Sequence, residues 1–323
     1  MSDRMLISKS PAARKSAPHI RLYECFPLYD HAKYAILFYI KNAGENMATY
    51  ENGNILNKED YFEDCCRIGT VNAVQRIPIE RIIEKLDTFL IKNDMQGAEN
   101  HLNYWLRETQ SQNDMRGMLS VLNESIGFYR KTGIEEKALD AAEKAIALAK
   151  KIGLAKSITM GTTLVNAATA YKAFDKCETA LPLYEKAREI YEKELEPSDI
   201  RLGALYNNMA LTVTSLGNYA EAKELYEKAL CIMRNIRGCE GEVAVTYCNL
   251  ADLAACEYGL LAGTDKINEL LEKAKYFLDS ESVPRDGNYA YICEKCSSVF
   301  GYYGFFAYEE LLKERAKEIY ERS

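Results

Sequence analysis

One pattern of small and aromatic residues recurs along this chain at a spacing of 42 residues. Ala180, Tyr184 and Ala187 are followed 42 residues later by Ala222, Tyr226 and Ala229. The same spacing links Ala138 to Ala180, Ala145 to Ala187, Ala168 to Ala210 and Ala274 to Ala316, and the step from Ala210 to Ala251 is 41. A fixed period of this length indicates an array of repeated units, each of which buries its apolar face against its neighbours.

Each unit has the pattern of two amphipathic helices joined by a tight turn. In residues 199–238, apolar residues recur at helical spacing on both sides of Gly217-Asn218, and Gly238 ends the second helix, since glycine adopts a positive φ at low cost. Further units are predicted to begin near Pro78, Asp114, Ser157 and Glu242, and a last pair to span about 288–303 and 305–321. The predicted fold is an all-α solenoid of about five to six helix pairs.

The two ends of the chain depart from this pattern. Residues 1–18, rich in Ser, Ala, Pro and charge, are predicted to form a flexible tail, with a basic arm that docks on a partner as the alternative. Residues 19–77 are predicted to be an amino-terminal cap or a degenerate repeat, ahead of the repeat array over 78–287. Residues 288–323 are predicted to be a capping helix pair, because the last unit of an array needs a polar outer face.

Charge and cysteine content narrow the class of partner. The chain has a formal net charge of −7 and a pI near 5.3, which argues against a nucleic-acid partner. Residues 1–22 are locally basic, with five Lys/Arg and one Asp. No apolar run approaches the roughly 18 residues that span a bilayer, so no membrane association is expected. Ten scattered cysteines indicate reduced thiols, and we expect a cytoplasmic protein.

The sequence carries no motif for catalysis or cofactor binding. It has no Walker-type phosphate loop, no dinucleotide fingerprint and no metalloprotease histidine pair. Cys293 and Cys296 form a CxxC without the second CxxC that a four-cysteine zinc site needs, and Cys65 and Cys66 are a vicinal pair. Buried packing is the favoured interpretation of both pairs. We therefore predict that the protein is not an enzyme and holds no cofactor or metal.

The segment LYNNMALTVTSLGNYAEAKELYEKAL is similar to the tetratricopeptide repeat, whose signature places small residues and an aromatic residue at these spacings. The 42-residue period, with NNMA in the first helix, resembles the longer repeat of kinesin light chains. The resemblance is strong over 157–238 and weak outside 114–279. Trp105, which stands where other repeats have alanine, and the last helix pair both depart from it, which favours caps at the two ends.

The resemblance implies a right-handed superhelix whose concave groove is lined by the first helix of each pair and holds peptide segments of partner proteins. Carried over by position, the residues implied to contact a peptide are Asn123, Arg130, Asn166, Thr169, Lys172, Asn207, Asn208, Leu211, Asn249 and Asp252. Arg130 and Lys172 are candidates to hold a carboxylate. The neutral stripe elsewhere fits an extended segment better than a strongly acidic one.

Asparagines recur in this stripe independently of the resemblance. Asn166, Asn208 and Asn249 follow one another at steps of 42 and 41, although asparagine is unfavourable in a helix interior. A carboxamide both donates and accepts hydrogen bonds, which suits the main chain of an extended peptide. Hydrogen bonds between neighbouring helices, which would only order the stack, explain the same pattern. The sequence leaves both interpretations open.

The sequence thus predicts a non-enzymatic scaffold or adaptor that binds an extended peptide segment of a protein partner. The alternative is a peptide-sensing signalling regulator with residues 19–77 as its output region. Residues 1–70 carry nine Lys/Arg and nine Asp/Glu and show no helix-turn-helix pattern, so DNA binding is disfavoured. The sequence predicts neither the identity of the partner nor the oligomeric state.

Overall fold

Twelve helices account for nearly all of the chain that the structure describes. The computed structural model describes residues 76–322. The predicted tail over 1–18, the region over 19–75 and the pair Cys65 and Cys66 lie outside the described residues. In chain order the helices are α1 (Ile79–Ile91), α2 (Met95–Ser111), α3 (Met115–Lys131), α4 (Glu135–Lys151), α5 (Ile158–Ala173), α6 (Cys177–Glu194), α7 (Ile200–Ser215), α8 (Tyr219–Met233), α9 (Glu240–Tyr258), α10 (Thr264–Leu278), α11 (Gly287–Tyr302) and α12 (Phe306–Arg322). No strand occurs among these residues, so the all-helical prediction is confirmed.

The helices pack as six consecutive pairs, from α1 with α2 to α11 with α12. Neighbouring pairs meet where a second helix packs on the next first helix, as α4 does on α5. First helices also contact one another directly, α3 with α5, α5 with α7, α7 with α9 and α9 with α11. These contacts bring the first helices close together. The first helices therefore line the inner side of the stack, which we call the inner face. The architecture is an α-solenoid, as predicted.

The repeated alanines lie at the centre of the packing. Ten of them are completely buried, at 0% exposure: Ala138, Ala145, Ala168, Ala180, Ala187, Ala210, Ala222, Ala229, Ala251 and Ala274. Tyr184 and Tyr226 are also completely buried. A methyl group lets two helix backbones approach closely, and the large tyrosine rings fill the space that remains. The period seen in the sequence is therefore the period of the core.

Six of the twelve helices begin at a side chain that accepts a hydrogen bond from the first turn. The residues that do so are Asp94, Asp114, Ser157, Asp199, Asn218 and Asp286. Each satisfies one of the backbone N–H groups that a helix amino terminus leaves without an intrahelical partner. These capping residues explain why the starts of the repeat units can be predicted from the sequence.

The turn inside each pair repeats as regularly as the core. Gly133, Asp175, Gly217 and Gly259 follow one another at steps of 42 and have φ values of 72°, 58°, 82° and 79°. This left-handed conformation costs a glycine little, whereas a side chain makes it unfavourable. Asp175 therefore occupies a position that the other three repeats reserve for glycine.

The ends of the described array differ from its middle. Trp105 is half-buried and packs against the core, with its ring 5.2 Å from that of Tyr104, where the other repeats have a small residue. On α12 the exposed side carries ion pairs along the helix, including Lys313 with Glu309 and Glu310. The division into an array over 78–287 and a cap over 288–323 stays a prediction.

Candidate functional site

The predicted contact residues all lie on first helices and therefore on the inner face. Asn123 and Arg130 are on α3, Asn166, Thr169 and Lys172 on α5, Asn207, Asn208 and Leu211 on α7, and Asn249 and Asp252 on α9. Four of them are half-buried, namely Asn123, Lys172, Leu211 and Asp252, and the other six are buried. The inner face is thus a layer of buried polar groups with a sparser set of accessible side chains.

A first pair of asparagines joins α3 to α5. Nδ2 of Asn166 donates a hydrogen bond of 2.7 Å to Oδ1 of Asn123. Nδ2 of Asn123 in turn donates to the carbonyl oxygen of Leu119 at 3.0 Å and to Oγ1 of Thr163 at 3.2 Å. Oδ1 of Asn166 is buried and accepts no hydrogen bond from the described residues. We call such an Asn–Asn bond between neighbouring first helices a rung.

A second rung joins α7 to α9. Nδ2 of Asn249 donates a hydrogen bond of 3.2 Å to Oδ1 of Asn207, and both residues are buried. Nδ2 of Asn207 is itself buried and finds no acceptor in the described part of the chain. The two rungs show that Asn166 and Asn249 order the stack. Each rung also leaves one buried amide atom that no described residue bonds.

Asn208 has no rung. In both rungs the acceptor stands one position before the residue that is equivalent to the donor in the preceding repeat. For Asn208 the equivalent residue is Asn166, and the position before it is Val165, which is buried and apolar. The Asn208 side chain forms no hydrogen bond with any described residue, and its Oδ1 is buried. A buried polar atom without a partner costs about 1–3 kcal/mol. The structure therefore separates Asn208 from Asn166 and Asn249, with which its spacing groups it.

Two other predicted residues, Thr169 and Arg130, interact with Tyr184. Oγ1 of Thr169 lies 2.8 Å from the hydroxyl oxygen of Tyr184, so the Thr169 hydroxyl is bonded inside the core. Burial raises the pKa of Tyr184, and the nearby charge of Arg130 lowers it in part. Arg130 is only 4% exposed, so the half-buried Lys172 is the more accessible of the two predicted cations.

Asp252 occupies on α9 the position that Gly127, Thr169 and Leu211 occupy in the preceding first helices. Its Oδ1 accepts a hydrogen bond of 2.8 Å from the hydroxyl of Tyr303, the residue that follows α11. Burial raises the pKa of the Asp252 carboxyl to about 6, and the Tyr303 hydrogen bond opposes that rise. Among residues 76–322 no lysine or arginine forms an ion pair with Asp252.

Sequence reasoning missed two residues of this face. Thr163 accepts the hydrogen bond from Asn123, but it lies one position away from the predicted stripe. Tyr303 belongs to the predicted capping pair, and it lies 51 residues from Asp252, a separation that matches no repeat step. Neither partner follows from a spacing rule, because both depend on how neighbouring helices are offset.

The remaining chemical candidates are structural. Cys293 and Cys296 are free and buried, at 0% and 1% exposure, and burial raises the pKa of the Cys293 thiol to about 12, which confirms the packing interpretation. Within residues 76–322 no three His, Cys, Asp or Glu side chains are placed to hold a metal ion. The helices of this same part lack the combination of length and apolar character that crossing a membrane requires.

Comparison with known families identifies the repeats. The family described as tetratricopeptide repeat matches residues 117–193 and 201–259, the part of the chain that carries both rungs. These two segments therefore match tetratricopeptide repeats, and the resemblance drawn from the alanine spacing is confirmed. No curated protein shows a significant sequence match.

Several solved structures are similar to this chain at low sequence identity. NprR in complex with its cognate peptide NprX is 15% identical with a TM-score of 0.50, over 90% of this chain and 74% of that one. A Podosopora anserina putative kinesin light chain with nearly identical TPR-like repeats is 19% identical with a TM-score of 0.46, over 62% and 94%. BtubC (BKLC) from P. vanneervenii is 18% identical with a TM-score of 0.47, over 76% and 91%.

Proposed function

We propose that this protein is an interaction scaffold that binds an extended peptide segment of a partner protein along its inner face. Tetratricopeptide repeats as a family suggest protein–protein interaction, and the inner face supplies the finer assignment. The observation that carries it is a set of buried amide atoms that no described residue bonds, two acceptors and one donor on the neighbouring first helices α5 and α7: Oδ1 of Asn166, Oδ1 of Asn208 and Nδ2 of Asn207.

These atoms match what the main chain of a peptide offers. An extended backbone presents N–H donors and C=O acceptors in alternation, whatever its side chains are. A ligand that satisfied even one of these amide atoms would recover part of the roughly 1–3 kcal/mol that an unsatisfied buried polar atom costs. Leu211, half-buried and one turn along α7 from Asn208, adds an apolar contact beside them.

The fold similarity to NprR, whose structure contains its cognate peptide NprX, fits a peptide partner. It fits equally the alternative of a peptide-sensing regulator, in which residues 19–77 would carry the output. A gel-retardation assay with DNA at low salt separates the two, since only a DNA-binding regulator would retard the duplex.

Asn208 gives the sharpest test. A randomised decapeptide library is selected on the immobilised full-length protein, and the affinity of an enriched peptide is measured by fluorescence polarisation. We expect Asn208→Ala to weaken binding about tenfold without lowering the free energy of unfolding, because this side chain forms no hydrogen bond with residues 76–322. Asn268→Ala, an exposed asparagine on α10, is the matched control. Unchanged affinity of Asn208→Ala would contradict the proposal.

A further inference from the structure

We propose that the inner face ends, between α9 and α11, in a subsite for a cationic side chain of the bound peptide. Its parts are the Asp252 carboxylate and the rings of Tyr302 and Tyr303, and its ligand is a lysine or arginine. The inference rests on the proposed function, because it names the chemistry of a ligand in the same groove.

The geometry fixes a carboxylate beside two aromatic rings. The hydroxyl of Tyr303 donates to Oδ1 of Asp252 at 2.8 Å, which holds the carboxylate across the contact between α9 and α11. The rings of Tyr302 and Tyr303 lie 5.0 Å apart at an interplanar angle of 83°, and Tyr302 is 42% exposed. One ring is thereby anchored at the carboxylate, and the neighbouring Tyr302 ring is partly exposed to solvent.

The charge of the site is uncompensated within the described part of the chain. A partly buried carboxylate is unfavourable without a cation or further hydrogen bonds, and burial accordingly raises the pKa of Asp252 to about 6. On α7 the residue at the position of Asp252 is Leu211, and the residue one turn further along is Ser215. Both are neutral. Among the second to fifth pairs, only the fifth thus places an acid at this position of the stripe.

The neighbouring ionisable groups do not neutralise the charge of the Asp252 carboxylate. Cys256, one turn along α9, has its thiol pKa raised by burial and by the charge of Asp252, so this thiol adds no positive charge to the site. On α11 the nearest cation along the same side is Lys295, whose Nζ lies 5.3 Å from the centre of the Tyr291 ring. That lysine is half-buried two turns before Tyr303.

A lysine or arginine side chain suits both parts of the subsite. Its charge pairs with the carboxylate through a charge-assisted hydrogen bond, and its cationic head is attracted to the face of a tyrosine ring. A pair of this kind at a half-buried site contributes a preference of about tenfold over a neutral side chain of similar length.

The test uses the full-length protein and the decapeptide selection described above. We expect enriched peptides to share a lysine or arginine at one position, and a twin peptide with glutamine there to bind about tenfold more weakly. Asp252→Asn should bring the peptide and its twin to equal affinity. Asp265→Asn, an exposed aspartate on α10, should preserve the difference.

The pH dependence gives an independent readout. The preference should be complete well above pH 6 and disappear as Asp252 is protonated below it. Tyr303→Phe keeps the ring but removes the hydrogen bond that lowers the pKa of Asp252, so the loss should move to higher pH. Preservation of α-helical content by circular dichroism shows that the variant is folded.

The outcomes distinguish the two proposals. If no peptide is enriched either on the wild-type protein or on a variant with Arg4, Lys9, Arg14 and Lys15 replaced by glutamine, the peptide-binding function fails and the subsite with it. Enriched peptides that lack a fixed lysine or arginine, or a preference that survives Asp252→Asn, contradict the subsite alone. If binding appears only after Arg4, Lys9, Arg14 and Lys15 are replaced by glutamine, the basic amino-terminal segment of this chain is the occupant and the partner assignment is wrong.

Discussion

Asn249 and Asn207 are joined side chain to side chain by a hydrogen bond of 3.2 Å that crosses from α9 to α7. The bond between Asn166 and Asn123, at 2.7 Å, repeats this relationship between α5 and α3. Between these two rungs, at the contact of α7 with α5, the donor Asn208 is present but its acceptor position is Val165. The inner face therefore has an Asn–Asn bond between α3 and α5 and another between α7 and α9, but none between α5 and α7.

Breaking the rung between Asn207 and Asn249 should destabilise the fold. Asn249→Ala leaves Oδ1 of Asn207 buried without a donor, and we expect a loss of about 1–2 kcal/mol in the free energy of unfolding. In a double-mutant cycle with Asn207→Ala, the coupling should be about 0.5–1.5 kcal/mol. Urea denaturation followed by circular dichroism measures both quantities. Purely additive effects would show that the bond contributes nothing.

Supplying the missing rung should satisfy Asn208 inside the protein. Val165→Asn buries a second polar group, which costs stability, but Asn208 can then donate to it as Asn249 does to Asn207. We expect Val165→Asn to cost about 0.5–1.5 kcal/mol less in the wild-type background than in Asn208→Ala. Under the proposed function it should also weaken binding of an enriched peptide. An equal cost in both backgrounds would refute the pairing rule.

Asp252 should make stability depend on pH in a defined direction. Its pKa is raised in the folded state, from 3.8 to about 6, so the folded state binds the proton more tightly and stability falls as pH rises through this window. Asp252→Asn should therefore be more stable than wild type by about 1–2 kcal/mol above pH 6, after allowance for its partial exposure. The difference should vanish below about pH 4. Thermal unfolding at a series of pH values tests the sign.

The turn at Asp175 offers a stabilising substitution. Asp175 has a φ of 58°, where Gly133 and Gly217 stand in the neighbouring repeats. Asp175→Gly removes the steric cost of this conformation and should raise the free energy of unfolding by about 0.5–1 kcal/mol. Gly217→Ala introduces that cost and should lower it by about 1 kcal/mol. Opposite signs in chemical denaturation are the expected result, and a loss for Asp175→Gly would contradict it.

Two glycines of α3 and α5 provide a matched pair. A Cβ at Gly161 would clash with the ring of the buried Tyr191, whereas a Cβ at Gly127 would meet nothing within 4 Å. We expect Gly161→Ala to cost about 1–3 kcal/mol through overpacking. Gly127→Ala should gain about 0.5–1 kcal/mol, because alanine is the better helix former. Equal effects would show that helix propensity rather than packing decides at both positions.

The sequence by itself determined the solenoid, because its cause is local and repeated. Alanines that recur at a fixed period mark positions where two helices approach so closely that only a small side chain fits. Capping residues mark where helices begin, and turns with a left-handed residue mark where they end. Ala180 and Ala222 already specify how one pair packs on the next. That argument needs no knowledge of distant contacts.

The tertiary structure alone decided which polar groups of the inner face are used. Asn166, Asn208 and Asn249 look equivalent along the chain, yet two of them form rungs and Asn208 forms none. Each rung joins residues that differ by one position in the repeat, and the bond between Asp252 and Tyr303 follows no repeat step at all. The offset between neighbouring helices sets these pairings, and that offset results from how all the side chains of both pairs pack together.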